Sequence, residues 1–177
     1  MNVQDAISLL QQRVSISSTI SPLEHRHLAD LLTQSVALMP NKKAFTSLGF
    51  SLTYGELDRL ATAFASYLQN HTSAAKGDRI AIMLPNLVQY PVVFFGALKA
   101  GLVVVNTNPL YTERELVHQF NNSGAKILVA LANAGDLLER VIPQTSVQQV
   151  IMTELADLHG FISRVAINFA AKKKKKM

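Results

Sequence analysis

Two threonine–glutamate pairs, Thr53-x-x-Glu56 and Thr112-x-x-Glu115, place a hydroxyl three residues before a carboxylate. That spacing could serve proton transfer, but it is also the spacing of a capping box. There the two side chains satisfy orphan amides at a helix start, and the threonine cap is worth ~1 kcal/mol. Capping accounts for both pairs. Gly96-x-x-x-x-Gly101 has the spacing of a phosphate-binding loop. However, Leu102 and Val103 stand where Lys and Ser or Thr are needed, and the helix-to-strand order is the reverse of one that aims amides at phosphate.

His25 and His27 are two apart and diverge on a helix, while His71, His118 and His159 have no partner at metal-ligand spacing. Asp58 with Arg59 and Glu113 with Arg114 read as solvated helix charges. Ser17 and Ser18 lack a nucleophile elbow. No catalytic, cofactor-binding or metal-ligating residue is therefore assigned. Asn106 to Tyr111 leaves two readings open. It follows a strand's carboxyl end, where open α/β sheets place ligand crevices, or it is an Asn/Pro turn ahead of the Thr112 cap.

These residues must be positioned by a body of ordinary globular composition, 49% hydrophobic and 16% charged over 177 residues. The net charge of +5 resides in one place: 17 Lys and Arg face 12 Asp and Glu, and five of the lysines are Lys172 to Lys176. The remainder is neutral and shows no basic face for nucleic acid. Without cysteine there is no disulfide or thiolate site, which fits a cytoplasmic protein. Met1 to Leu10 lacks a basic n-region, and the apolar run from Pro91 to Val105 is too short to span a bilayer.

Ser21-Pro22-Leu23-Glu24 predicts a helix from Pro22 to Leu38. Lys43 to Leu48 and Phe50 to Leu52 read as a hairpin. After Thr53, residues Leu57, Leu60, Ala61, Phe64, Ala65 and Leu68 recur on one helical face. Then strands (79–84, 102–106, 126–130, 148–153) alternate with helices (86–100 capped by Asn86, one from Thr112, and 134–142). Such alternation predicts an α/β fold with a largely parallel sheet flanked by helices. The continuously apolar strands suggest a sheet covered on both faces. Strand order is not readable. Leu155, Leu158, Ile162, Val165 and Phe169 form a helical stripe over Glu154 to Ala171.

Several motifs taken jointly carry a resemblance. Leu52-Thr53-Tyr54-Gly55-Glu56-Leu57 and Leu98-Lys99-Ala100-Gly101 through Asn108-Pro109-Leu110-Tyr111-Thr112 resemble two core elements of adenylate-forming enzymes. Lys76 to Asn86, Gln89-Tyr90-Pro91, Arg114-Glu115-Leu116 and Ser123-Gly124-Ala125 are similar to the long-chain fatty-acid–CoA ligases in particular. The resemblance runs from about Ser35 to Phe169 and covers roughly the first third of such a ligase. It implies a partial N-terminal α/β subdomain over residues 1–171, followed by a polylysine tail at 172–177. In that family ATP, Mg²⁺ and CoA convert a fatty acid to acyl-CoA, AMP and pyrophosphate. The family's Gly/Thr-rich triphosphate loop, metal-associated Glu, ribose-binding Asp and late Lys have no counterpart in this sequence. The resemblance therefore implies scaffold residues only (Leu52, Thr53, Tyr54, Glu56, Leu57, Leu98, Lys99, Ala100, Gly101, Asn108, Pro109, Tyr111 and Thr112), an N-terminal fragment inactive alone, and no cofactor held by this chain.

The lysine run has three readings: a solvated tail, attachment to the inner face of an anionic membrane, or an adenine-rich stretch where the reading frame ended early. The third is favoured because the stop follows within one residue. The alternative function is a non-catalytic module that docks on a membrane, or on a full-length ligase, through the Leu155–Phe169 stripe and the tail.

Overall fold

The computed structural model describes residues 27–159 and residue 168. In chain order the elements are α1 (Leu28–Leu38), β1 (Lys43–Ser47), β2 (Phe50–Thr53), α2 (Tyr54–His71), β3 (Arg79–Met83), α3 (Gln89–Lys99), β4 (Val103–Asn106), α4 (Glu113–Ser123), β5 (Ile127–Leu131), α5 (Gly135–Val141) and β6 (Gln149–Thr153). Single 3-10 turns flank α5 at Ala132–Ala134 and Ile142–Gln144.

β3 to β6 form one parallel sheet in the order β4-β3-β5-β6. The strand period of two divides their side chains cleanly. Ile80, Ile82, Ile127 and Val129 point to a layer built with Val93 and Ala97 of α3 and Leu68 of α2. Ala81, Met83, Leu128 and Ala130 point the other way, onto Leu116 and Phe120 of α4 and Leu138 and Val141 of α5. The chain thus leaves β3 over one face and leaves β4 and β5 over the other. A third cluster joins Leu32 of α1, Leu52 of β2, Leu57 of α2, and Val88 and Val92 at the start of α3.

The expected α/β architecture and parallel sheet are present, with several local corrections. Continuous strand burial holds for β5 and, apart from Arg79, for β3, the two central strands. β4 and β6 are outer strands and expose Val103 and Met152. Asn86 does not cap α3. That helix starts at Gln89 after Val88, with no side-chain cap, because the chain first turns through Leu87, whose amide donates to the Pro85 carbonyl. Pro91 still falls in the first turn, and Gly101 supplies the left-handed stop at φ 80°.

The first helix begins at Leu28 rather than continuing from Pro22, since His27 is extended (φ −138°, ψ 147°) and its amide donates to Asp30 Oδ2. The Ser21–Glu24 box lies outside the described residues, as do His25, Ser17, Ser18 and the lysine run. Glu154 to His159 is a series of turns, not the first turns of a long helix. Its Leu155 and Leu158 pack into two different clusters, and Ile162, Val165 and Phe169 fall outside the described residues.

The β1–β2 hairpin is closed by Leu48 and Gly49, both at positive φ (50° and 77°), between the paired Ser47 and Phe50. Such two-residue turns favour Asn or Asp followed by Gly, because a left-handed L-residue sets Cβ against the next carbonyl. Leu48→Asn is accordingly expected to stabilise the fold by about 1 kcal/mol, read as an upward shift in thermal melting.

Candidate functional site

Open α/β sheets bind ligands at the carboxyl ends of their strands where the connections diverge, which in the order β4-β3-β5-β6 lies between β3 and β5. β4 runs out into Asn106. Its side-chain Oδ1 accepts from Tyr90 Oη at 2.7 Å, and its carbonyl accepts from Gln119 Nε2 at 2.9 Å. Thr107, 5% exposed, continues the ladder with its amide on the Ile82 carbonyl. Asn108 Oδ1 then accepts from the Leu110 amide at 3.0 Å, and the Tyr111 amide donates to the Asn108 carbonyl. Asn106 to Tyr111 is therefore built as an Asn/Pro turn, and its tip residue Leu110 is 86% exposed.

Gln89, in the first turn of α3, is buried and ties the post-β6 turn to this edge. Its Nε2 donates to the carbonyls of Glu154 (2.9 Å) and Leu155 (3.2 Å), leaving Oε1 without a partner. Asn168, also buried, accepts the Ala156 amide and donates to Glu154 Oε2. Asp157 Oδ2 takes the Glu154 amide and the Thr153 hydroxyl. Sequence reading missed Gln89, Tyr90 with Asn106, and Asn168. The partners of Gln89 lie 65 and 66 residues away, so no local pattern signals them.

Both capping boxes form. Thr53 Oγ1 accepts from the Glu56 amide at 3.2 Å while Glu56 Oε2 takes the Thr53 amide at 2.8 Å, and Thr112 with Glu115 repeats the arrangement. The Thr53 amide and then its hydroxyl hold the Glu56 carboxyl below its usual range, as Thr112 does for Glu115. Lys126, then the Ala75 amide, does the same for Asp78. A carboxyl lowered in the folded state stabilises above its unfolded pKa, and that stability is lost as pH falls through the folded value. Thermal melting should therefore be nearly flat in these contributions at neutral pH and fall as acid passes below about 4. Replacing both capping threonines with valine should make that acid decline shallower in a pH series of melts.

Other scaffold residues join elements. Lys99 Nζ lies 2.7 Å from Asp58 Oδ1 and 2.8 Å from Thr62 Oγ1, so Asp58 bridges α2 to α3 rather than standing as a solvated charge. Glu113 likewise clips α4 to α5 through Arg140 at 3.0 Å and Gln144. Leu52 and Leu57 are buried in the third cluster, while Leu98, Ala100 and Gly101 form the end of α3. His118 and Arg114 border an open depression with Thr112 and Glu115. The Glu115 carboxylate already occupies that helix start. Among the described residues no His, Asp or Glu trio has metal-binding geometry.

The α4 start with Arg114 beside it is filled by its own carboxylate, and the Gln89 amide nitrogen is spent on two carbonyls. What fold and site define is an α/β layer whose carboxyl edge is organised by polar tethers.

Within that class the family is clear. The model of the AMP-binding enzyme family matches residues 32–177, and the chain belongs to that family. It is 44% identical over 157 residues to a long-chain-fatty-acid–CoA ligase of Escherichia coli O6:H1, covering 89% of this chain and 28% of the relative. Among solved structures, a benzoate CoA ligase from Burkholderia xenovorans LB400 superposes with a TM-score of 0.68 at 28% identity, covering 73% of this chain and 26% of that one. The N-terminal domain of FACL13 from Mycobacterium tuberculosis gives 0.67 at 25% identity, with 80% and 36% covered. The chain spans little more than a quarter of the length of the ligase relative and corresponds to the N-terminal part of such enzymes. No helix among the described residues is long and apolar enough to cross a membrane.

Proposed function

We propose that this chain serves as the N-terminal scaffold of a long-chain-fatty-acid–CoA ligase and does not run the reaction by itself. The observation that carries the reading is the 44% identity over 89% of the chain to a ligase of which it spans 28%. In the complete reaction ATP activates a fatty acid as an acyl-adenylate, with Mg²⁺ on the phosphates, and CoA then takes the acyl group. Such chemistry depends on groups placed to stabilise developing phosphate charge. The carboxyl edge here spends its polar groups on its own backbone. What this chain contributes is position: α2 and α3 locked through Lys99 and Asp58, and an ordered turn from Asn106 to the Thr112 cap.

The test has two arms. The purified chain with palmitate, ATP, Mg²⁺ and CoA should release no pyrophosphate above background, and measurable turnover would overturn the inactive reading. A chimera in which this chain replaces the matching portion of the Escherichia coli ligase should retain acyl-CoA formation. A folded but inactive chimera would sink the scaffold assignment.

A further inference from the structure

After β6 the chain from Glu154 to His159 folds as turns. In the order β4-β3-β5-β6, a bond from the helix after β3 to the turn after β6 spans the carboxyl end of β5. Gln89 makes that bond, donating from Nε2 to the carbonyls of Glu154 and Leu155. Leu155 packs on the α3-side layer, which includes Leu84, Leu87 and Leu131 at the strand ends, and Leu158 packs on the third cluster. The His159 ring lies 4.9 Å from that of Phe50 on β2. The segment therefore covers the α3 side of the crevice between β3 and β5.

This cover is incompletely satisfied. Among the described residues four buried side-chain polar atoms have no hydrogen-bond partner, and three belong to the segment and its tether: Gln89 Oε1, His159 Nδ1 and His159 Nε2. A buried polar atom left unpaired offsets much of what a hydrogen bond contributes, and water satisfies it once the cover lifts. Nor does the segment have a strand ladder. Within it the Asp157 amide donates to the Glu154 carbonyl at 3.4 Å and the His159 amide to the Ala156 carbonyl at 2.9 Å, while Asp157 and Asn168 side chains hold the Glu154 and Ala156 amides. We propose that Glu154 to His159 is a strap that opens as a unit while the sheet stays folded, with Gln89 as its latch, uncovering the α3 side of the crevice. Few regular backbone bonds, and buried atoms that gain partners on opening, are the marks of a low-stability unit. The strap stands independently of the ligase reading, because its opening is read from the chain's own amides without catalysis.

The experiment is hydrogen exchange of the full chain, followed by NMR at increasing urea. The amides of Glu154, Ala156 and His159 report the strap, and those of β5, paired on both sides, report the sheet. Strap amides are expected to exchange at least ~100-fold faster than those of β5, with little response to urea because a local opening exposes little surface. Gln89→Met, of similar length but without a donor, should speed strap exchange about tenfold and leave β5 within about threefold. His159→Phe keeps a ring against Phe50 and removes the unpaired nitrogens, so it should slow strap exchange about tenfold. Opposite signs for the two substitutions separate a strap held against unpaired atoms from ordinary core packing. Strap and β5 amides that exchange at one rate with one urea dependence would make them a single cooperative unit and overturn the proposal. So would faster strap exchange in His159→Phe, or strap exchange untouched by Gln89→Met. If Gln89→Met fails to fold, the unsubstituted chain and His159→Phe decide the matter between them.

Discussion

Phe120→Ala is expected to remove about 4 kcal/mol of folding stability, a large share of the 5–15 kcal/mol typical of a domain. Phe120 is fully buried on α4, in the layer shared with Ala81 and Met83 of β3, Leu128 of β5, and Leu138 and Val141 of α5. Every element beneath that face meets in this cluster, so truncation leaves a cavity bounded by a sheet and two helices that cannot close independently. The backbone there is engaged as well. The Phe120 carbonyl accepts from the Gly124 amide and from Ser146 Oγ, which limits how far α4 can settle inward. Urea unfolding of the variant should show a lower midpoint at an unchanged slope. A loss below about 1.5 kcal/mol, no more than a conservative core swap, would mean that α4 does not close this face as described.

Gly96→Ala should also destabilise, by about 2 kcal/mol net, against the direction of helix propensity. Alanine is favoured over glycine inside a helix by about 1 kcal/mol. At Gly96, however, a Cβ would lie 2.8 Å from the Ala61 carbonyl oxygen and 2.8 Å from Phe64 Cδ1, both on α2. A phenyl ring can rotate away, but a helical carbonyl cannot yield without moving the helix, and overpacking of that kind costs up to about 3 kcal/mol, which outweighs the propensity gain by about 2. Gly135→Ala is the comparison. There the nearest obstacle is the flexible end of Met152 at 3.8 Å, so propensity should prevail and stability should rise slightly. Denaturation midpoints that move the same way for both substitutions would contradict the close α2–α3 approach. This approach matters for the proposed scaffold role, because the same two helices carry the Lys99–Asp58 bridge.

Much of this was legible from the sequence. Thr53 and Thr112 announced their helices because a capping box is a local device whose partners lie three residues apart. Gly101 ended α3 for an equally local reason. The apolar runs at 79–84 and 126–130 read correctly as buried strands. The equally apolar run at 102–106 carries the same expectation of burial but occupies the sheet edge, since nothing within a strand states how many neighbours it has. Asn86 has the residue type of a cap yet sits in a turn, because cap residues and turn residues share the same chemistry. The first part of the stripe, at Leu155 and Leu158, departs from expectation in a comparable way. Helical spacing of Leu155 and Leu158 describes a periodicity, yet those two side chains are drawn into separate clusters by the turn that Gln89, Asp157 and Asn168 hold.

Asp58 and Glu113 show the remaining gap. Each looked like a solvated charge beside an arginine neighbour, while its partner stands on another helix, 41 residues away for Asp58 and 27 for Glu113. The sequence by itself determined the α/β class, the helix starts at Thr53 and Thr112 and the membership suggested by its joint motifs, because those reside in short-range spacing and in residue identity. Only the tertiary structure decided the strand order β4-β3-β5-β6, the polar tethers at the carboxyl edge and the left-handed Leu48 at an exposed tip. These arise from contacts between residues far apart in the chain, or from a backbone angle that no residue type announces.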